Sequence, residues 1–494
     1  MHDYEHLQQR LLRVLDLNTP GSTVDHVVVA LPSFSVSERL MRLYASRLAA
    51  IEHRFLMGAL QVGRIPGAHV VLVTCAEPTA VVLDYYARLA RPDCPEAARS
   101  QLSCVVVPDP GPRSVAAKLL ERPDLMADLR TWIGGRPAFV EAWNVTAEEV
   151  AVAVALGVPI NGAHPALREL GFKSSGRRLF RSAGVPLPPG VEDVHDRTEV
   201  AAAVATLRTS RPALDRVVVK VDDCVSGEGN WVVATRDEAG RPLPLARLRS
   251  DALAGSPPWF ATELASGGVV EEMVSGRRVS SPSALADIRP DGEIRVLATH
   301  EQVLGGDNGQ EFTGSSFPAS PEYGADLAHH VDAVARLLAS AGAVGRVAVD
   351  FVAVQGDDGC SLHALEINLR KGGTTYPLAA LRHLVPGAYD AAAARWVASS
   401  DGGPRCYRSS DAVVSPRWTG MTPAVAIEAV ATAGLAFRHA HGTGVVLHMM
   451  AALGFDGRIG VTAIGRTPEE AEDLFTAVPQ ALDAAAGQVL VSPV

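Results

Sequence analysis

The feature that most constrains the fold is a pair of apolar runs that carry acidic residues in their interior, at 345–354 and 363–373. The short polar stretch between them suits a turn, so the two runs are predicted to form neighbouring strands. Alternation with a period of two residues places Glu366 and Asn368 on one face, with Asp350 within reach on the other strand. Because burying an unpaired acid is costly, we expect these side chains to share a partner or a metal ion.

The chemistry of this polar face favours a metal ion and a phosphorylated ligand. Two carboxylates and an amide oxygen are hard ligands of the kind that Mg²⁺ shares with phosphate oxygens, so Asp350, Glu366 and Asn368 are predicted to bind Mg²⁺. Arg370 follows on the same face, where charge-assisted hydrogen bonds suit a phosphoryl group or an acyl oxygen. The alternative is a plain salt bridge among Asp350, Glu366 and Arg370.

Lysine is rare in this chain, because 45 residues are Lys or Arg and only four of them are lysines, Lys118, Lys173, Lys220 and Lys371. Because arginine is used at nearly all other basic positions, a lysine suggests that the position needs a compact, flexible point charge. Chance explains any single lysine. Three of the four lie inside the motifs described here, which favours a functional reason.

A second motif is an apolar strand, 217–220, that ends in Lys220 and is followed by a loop containing two glycines. Such a loop lets backbone N–H groups approach phosphate oxygens closely, which makes Lys220 and the loop a candidate phosphate site. The sequence contains neither a Gly-Lys dipeptide nor a G-x-G-x-x-G fingerprint, so this is not a Walker A loop. A bare hairpin turn is the alternative.

Two further motifs complete the set. A predicted helix carries Lys173 and is closed by Gly184, although an ordinary helix end explains it equally well. A strand at 269–274 runs into Glu271 and Glu272 and then returns to apolar residues. This pattern suits a hinge beside an adenine base, and the alternative is an edge strand with solvated acids.

The organisation of the chain is predicted as α/β. With 494 residues the chain is too long for one core, and strands alternating with helices before residue 165 predict a parallel α/β domain. Residues 401–404 (Asp-Gly-Gly-Pro) are interpreted as a linker. The predicted units are an N-terminal domain (1–165), a middle domain in two parts (166–268 and 269–396) and a small C-terminal α/β domain (405–494).

Bulk properties exclude several classes of protein. The net charge is −10 and no block of Lys and Arg stands out, which argues against a nucleic-acid partner. No apolar run approaches the ~18 to 20 residues that cross a bilayer. Six scattered cysteines form no C-x-x-C pair, so zinc and redox sites are not indicated. We expect a cytoplasmic protein with reduced thiols and no membrane partner.

The four motifs stand in the order found in the ATP-grasp superfamily, and the chain resembles members of that superfamily over nearly its whole length. The segments 298–306, 312–318 and 442–448 resemble the pheganomycin-type peptide ligases. The resemblance implies an ATP-grasp fold with an N-terminal pre-ATP-grasp α/β domain and a small C-terminal α/β domain. It also implies ATP-binding positions, which are Lys173, Lys220, the phosphate lid Ser226, Gly227, Glu228 and Gly229, and the adenine residues Glu271, Glu272 and Val274. Where many relatives have an acid that bonds the ribose, this chain has Arg277 and Arg278.

The implied function is an ATP- and Mg²⁺-dependent ligase that joins a carboxylic acid or amino acid to an amine or peptide. The expected route is an acyl phosphate with release of ADP and phosphate, in peptide natural-product or antibiotic biosynthesis. The tetrahedral oxyanion would need a donor, for which Arg370 and Arg295 are the candidates. An ATP-binding regulatory protein of the same fold is the alternative, as is phosphoryl transfer or carboxylation without an amide. The sequence names neither substrate and leaves a homodimer open.

Overall fold

The N-terminal unit is a five-stranded parallel sheet with helices on both faces. The computed structural model describes residues 2–224, 229–305, 311–356 and 359–489. The strand order is β3-β2-β1-β4-β5, with every pair parallel. The strands are β1 (His26–Leu31), β2 (Ala68–Thr74), β3 (Leu102–Val106), β4 (Ala138–Ala142) and β5 (Ile160–Asn161). The helices are α1 (His2–Gln8), α2 (Leu11–Leu17), α3 (Glu38–Tyr44), α4 (Leu48–His53), α5 (Leu56–Ala59), α6 (Ala80–Ala90), α7 (Pro95–Ser100), α8 (Val115–Leu120), α9 (Pro123–Ile133) and α10 (Ala147–Leu156).

Local signals account for much of this unit. β1 is buried at every position, as expected for a central parallel strand. A capping box opens α10, with Thr146 and Glu149 bonding each other's backbone. The stretch 37–60 forms three short helices, α3, α4 and α5, with one 3₁₀ turn (Ala45–Arg47) between α3 and α4 and another (Leu60–Gly63) after α5. Nearly every residue from Ala50 to Val62 is buried, so packing on all sides rather than one amphipathic face sets its path.

The next unit is a four-stranded antiparallel sheet in the order β6-β9-β7-β8. Its strands are β6 (Gly190–Val191), β7 (Arg216–Val221), β8 (Asn230–Ala234) and β9 (Gly268–Glu272). Its helices are α11 (Lys173–Ser182), α12 (Arg197–Ser210), α13 (Leu245–Asp251) and α14 (Pro258–Leu264). The helix carrying Lys173 and the strands carrying Lys220 and Glu271 are therefore neighbours in one small layer.

The largest sheet has eleven strands and continues through the C-terminal part of the chain. Its main path is β10-β14-β11-β12-β13-β18-β17-β16, with β15 beside β14 and with β20 joining β18 to β19. The strands are β10 (Arg278–Ser280), β11 (Pro282–Ile288), β12 (Ile294–Gly305), β13 (Glu311–Phe317), β14 (Gly345–Gly356), β15 (Gly359–Asn368), β16 (Gly387–Asp390), β17 (Arg395–Ala398), β18 (Pro404–Val414), β19 (Gly444–His448) and β20 (Arg458–Gly465). The helices are α15 (Gly324–Ser340), α16 (Thr375–Leu384), α17 (Pro423–Thr432), α18 (Leu453–Asp456) and α19 (Pro468–Val489).

The C-terminal strands are not set apart by a free linker. Residues 401–404 form the turn between β17 and β18, where the Asp401 carboxylate accepts a hydrogen bond from the Gly403 N–H at 3.0 Å. β18 pairs with β13, so the sheet passes directly into this part of the chain. The N-terminal unit also contacts it, because Tyr86 donates to the Leu447 carbonyl at 3.1 Å. Within the described ranges, no helix is long and apolar enough to cross a membrane.

Candidate active site

A cavity of about 1640 Å³ lies between the N-terminal unit, the four-stranded sheet and the eleven-stranded sheet. The small sheet contributes Lys220, Glu271 and the hinge that follows β9. The large sheet contributes the face that carries Asp350 and Glu366. A pocket for one ligand typically measures about 300–1,000 Å³, so this cavity has room for a nucleotide and further substrates.

The predicted acidic cluster exists and has the expected geometry. β14 and β15 are antiparallel, and Asp350 stands directly opposite Glu366, next to a β-bulge. The Gln302 amide donates to one Asp350 oxygen at 2.7 Å, and the Asn368 amide donates to the other at 2.9 Å. Burial and then the charge of Glu366 raise the pKa of Asp350 to about 7, against the lowering effect of Arg370 and the two amides.

The oxygen atoms of this cluster fit a hard divalent cation. Asn368 uses its N–H group on Asp350, which leaves its carbonyl oxygen to bind a cation beside the two carboxylates. The repulsion that raises the pKa of Asp350 is the interaction that a cation would relieve. No group of three or more His, Cys, Asp and Glu side chains suited to a metal occurs within the described residues, so the amide is needed to complete the set.

Lys173 contacts Glu366, the acid opposite Asp350. Its ammonium group is 3.5 Å from a Glu366 oxygen and donates to the Cys224 carbonyl at 2.9 Å. The side chain is 5% exposed, so this cation is held in the protein interior. Lys173 therefore joins the acidic cluster to Cys224, two residues before the start of the predicted phosphate lid.

The predicted lid falls mostly outside the described residues. Ser226, Gly227 and Glu228 lie there, while Gly229 is described. The Val221 N–H donates to the Gly229 carbonyl at 3.0 Å, which closes the base of the loop. A Cβ atom on Gly229 would come within 2.6 Å of the Cys224 Cβ, so only glycine fits at this point.

Lys220 and Glu271 form a buried charge cluster with Arg177. The Lys220 ammonium is 2.5 Å from one Glu271 oxygen, and Arg177 donates to the other at 2.7 Å. Arg177 also bonds Glu192, whose carboxylate in turn contacts Arg181. Burial alone would raise the pKa of Glu271, but Lys220 and Arg177 lower it below its usual value. The Glu271 carboxylate is thus engaged inside the protein.

The hinge residues that follow differ from one another. The Glu272 carboxylate, which also lines the cavity, is engaged by two hydrogen bonds from Arg211, at 2.7 and 3.0 Å. The Met273 N–H donates to the Arg216 carbonyl at 3.1 Å. The Val274 N–H has no hydrogen-bond partner within the described residues, and Val274 lines the cavity. Backbone atoms, rather than both acids, are therefore the hinge groups that remain for a base.

Arg370 lies in the cavity wall, and Arg295 does not. The Arg370 guanidinium is 4.9 Å from the centre of the Trp143 ring, and burial lowers its pKa against the opposing effect of Glu366 and Asp350. Arg295 instead pairs with Glu293 at 2.9 and 2.8 Å. It sits at the start of β12, about 20 Å along the strand from Gln302. Arg295 is thus not in the group of side chains that the fold brings together.

The two arginines after the hinge also separate. Arg277 donates to the Gly356 carbonyl at 2.8 Å at the protein surface, whereas Arg278 lines the cavity. Lys371, the third of the motif lysines, is 2.7 Å from Glu141 of β4 and donates to the Ala142 carbonyl. Lys371 therefore ties the strand end that carries Arg370 to the N-terminal sheet.

Sequence reasoning missed three residues of this site, Gln302, Trp143 and Arg177. Gln302 follows the polar run 299–301 in β12, so hydrophobic alternation does not single it out. Trp143 and Arg177 reach their partners through tertiary contacts alone, so no local pattern marks them.

The fold is that of the ATP-grasp proteins. The profile of the IQCH-like ATP-grasp family matches residues 165–234, and that of the PGM1 C-terminal domain matches residues 425–478. Among solved structures, a biotin carboxylase–β,γ-ATP complex from Campylobacter jejuni has 10% identity and a TM-score of 0.57, covering 95% of this chain and 96% of that one. An N5-carboxyaminoimidazole synthetase from Staphylococcus aureus has 12% identity and a TM-score of 0.51, covering 92% and 97%. These likenesses confirm the expected fold.

A curated relative places the chain more closely. It is 30% identical over 476 residues to the L-propargylglycine–L-glutamate ligase of Streptantibioticus cattleyicolor, which covers 94% of this chain and 95% of the relative. The chain belongs to the ATP-grasp carboxylate–amine ligase family that contains this enzyme. The expectation of an ATP-grasp peptide-ligase family is confirmed.

Proposed function

We propose that this protein forms an amide between a carboxylic acid and an amine, both of them amino acids or short peptides, in the biosynthesis of a peptide natural product. The reaction uses ATP and Mg²⁺, passes through an acyl phosphate, and releases ADP and phosphate. Family membership supports the reaction class. The observation that carries the proposal is the pair of facing carboxylates, Asp350 and Glu366, flanked by Lys173 on one side and Arg370 on the other.

Each charged group has a proposed task. Asp350, Glu366 and Asn368 hold Mg²⁺, which, when bound, neutralises charge on the ATP phosphates. Lys173 and Lys220 bind the phosphates, and Lys220 exchanges part of its contact with Glu271 for them. The Val274 N–H and the neighbouring hinge backbone hold the adenine. The lid at 226–229 is proposed to cover the phosphates.

The chemistry takes two displacement steps. A carboxylate oxygen of the acid attacks the γ-phosphorus of ATP, the bond to the β-γ bridging oxygen breaks, and ADP leaves. The amine nitrogen then attacks the acyl carbon, loses a proton, and the carbon–oxygen bond to phosphate breaks. Arg370, fixed against Trp143, stabilises the charge that develops on the transferring phosphoryl group and on the acyl oxygen. Positioning and electrostatics supply most of the rate.

The first experiment incubates the purified protein with MgATP, a pool of amino acids and hydroxylamine as a generic amine. We expect ADP and phosphate together with a hydroxamate, both dependent on a single acid. Formation of AMP and pyrophosphate would contradict the acyl-phosphate route. ATP consumption that needs no amine would instead favour phosphoryl transfer or carboxylation.

The regulatory alternative is not favoured. ATP binding alone does not need Asp350, Glu366, Asn368 and Arg370 together, and the family relative is a ligase. We propose the cytoplasm as the place of action, because all six cysteines are free thiols. A homodimer and the absence of a nucleic-acid partner stay predictions.

A further inference from the structure

The cavity has a second region that the reaction steps above do not use. It is lined by the stretch from α3 to the residues just after α4, by the C-terminal end of β18 and by the start of β20. Three arginines face it, Arg47, Arg54 and Arg458, and we call this region the arginine end. None of the three belongs to a sequence motif of the site, and they come from opposite ends of the chain.

An aromatic wall connects Arg370 to the arginine end. The Trp143 ring under Arg370 is 4.6 Å from the Phe34 ring, which in turn is 5.5 Å from the Tyr44 ring. Tyr44 is close enough to Arg54 to influence its pKa. A molecule reacting at Arg370 can therefore extend along this wall and reach the arginines with its other end.

The charges of the arginine end do not cancel. Arg54 bonds Asp411 at 2.6 Å and is 12% exposed. Arg47 and Arg458 both direct their Nε–H to a single oxygen of Asp456, at 3.0 and 3.3 Å. Three cations thus face two carboxylates, which leaves an excess positive charge at the cavity wall.

Most hydrogen-bond donors of Arg47 and Arg458 remain available. A guanidinium carries five N–H donors, and within the described residues each of these two side chains uses only its Nε–H. The forked Nη groups match the spacing of a carboxylate, which arginine binds with two parallel hydrogen bonds. Met449, which also lines this region, has φ 54°, a left-handed backbone conformation that is costly for a residue other than glycine.

We propose that Arg47 and Arg458 bind the non-reacting carboxylate of an amino-acid or peptide substrate, with Arg54 and Asp411 holding the cluster in place. This proposal rests on the proposed function and narrows its substrate class, because it requires a free carboxylate besides the groups that react. Two sources share this chemistry: the second carboxylate of the acid substrate and the carboxylate of the amine substrate.

The direct test measures binding rather than turnover. The twenty common L-amino acids and L-propargylglycine are titrated calorimetrically into the protein saturated with Mg²⁺ and ADP. At least one should bind, and Arg458→Gln and Arg47→Gln should each raise its Kd about tenfold or more, the effect of a lost charge-assisted contact. The matching amine without its carboxylate should bind the wild type at least as poorly as the amino acid binds these variants.

The control is Arg417→Gln, because Arg417 pairs with Asp483 at the surface and lies outside the cavity. Its Kd should equal that of the wild type, and thermal unfolding should show all variants folded. The proposal is overturned if no amino acid binds, if the carboxylate-free amine binds equally well, or if both cavity variants keep the wild-type Kd. Having two variants keeps the test valid should one of them fail to fold.

A turnover assay then separates the two sources and the two proposals. With hydroxylamine as the amine, an increased KM for the acid in Arg458→Gln assigns the site to the acid substrate. An unchanged KM for the acid, with an increased KM for an amino-acid or peptide amine that replaces hydroxylamine, assigns it to the amine substrate. Arginine-dependent binding without ADP formation would keep the site and contradict the ligase, whereas ADP formation with both KM values unchanged would keep the ligase and overturn the site.

Discussion

Two acids, one fully and one partly buried, face the same cavity from different sheets, and their pKa values shift in opposite directions. Glu271 on β9 lies between Lys220 and Arg177, and these cations lower its pKa despite burial. Asp350 on β14 lies opposite another acid, and burial together with Glu366 raises its pKa to about 7. One carboxylate is neutralised by the chain itself, and the other is not.

The difference shows which acid is built for a ligand. A buried acid with its own cations can hold elements together without anything bound, and Glu271 joins α11, β7 and β9 in this way. A pair of facing acids costs stability unless a cation binds between them. The Asp350–Glu366 pair therefore has the character of a binding site, and the Glu271 cluster that of a support which also positions Lys220.

The largest expected effect is on turnover when the acidic pair is broken. Glu366→Gln removes one charge of the pair, and we expect the rate of ADP formation to fall about a thousandfold or more, about 4 kcal/mol in the barrier. Glu238→Gln, on an exposed turn, is the matched control and should keep the wild-type rate. The comparison fails if Glu366→Gln turns over at near-normal rates with saturating Mg²⁺ while its melting temperature is unchanged.

The Glu271 cluster should respond in stability instead. Glu271→Gln leaves Lys220 and Arg177 buried without their shared anion, so we expect the free energy of unfolding to fall by about 3 kcal/mol or more. Urea denaturation measures it. Glu272→Gln, next in the chain, breaks only the more exposed pair with Arg211 and should cost about 1 kcal/mol or less. Equal losses in the two variants would remove the distinction between the sites.

The pH dependence of stability gives a smaller effect with a defined sign. The pKa of Asp350 is raised in the folded protein, so its contribution to stability is fully present below its unfolded pKa of 3.8 and is lost as pH rises to about 7. In EDTA, the melting temperature of Asp350→Asn relative to the wild type should therefore increase between pH 4.5 and 7.5. Added Mg²⁺ should reduce this difference, and a difference that does not change with pH would refute the assignment.

The smallest expected effect concerns Arg295, which sequence reasoning proposed as an oxyanion donor. Within the described ranges its one ion pair is with Glu293, and both side chains are half exposed. Arg295→Gln should change turnover by no more than about twofold, as for an ordinary surface pair. Arg370→Gln serves as the contrasting variant and should lose most activity. A loss of tenfold or more in Arg295→Gln would restore the original hypothesis.

Much of the acidic cluster could be predicted because strand alternation is a local rule. Once 345–354 and 363–373 are strands joined by a short turn, Asp350 and Glu366 must approach each other on one face. For the hinge, the sequence predicts the position but not the hydrogen-bond partners. Its position after β9 follows from the apolar pattern, but the engagement of Glu271 by Arg177 depends on how α11 packs against the small sheet.

The sequence by itself determined the alternating α/β organisation, the hairpin with its acids, and the placement of Lys173 and Lys220 in their motifs. These depend on periodicity, propensity and charge within a few residues. Only the tertiary structure decided that Arg54, from the N-terminal unit, meets Asp411, from β18, and that Arg47 meets Asp456. It also decided that Arg295 lies outside the cavity. Such contacts join residues hundreds of positions apart, and packing of whole layers, which no local pattern encodes, brings them together.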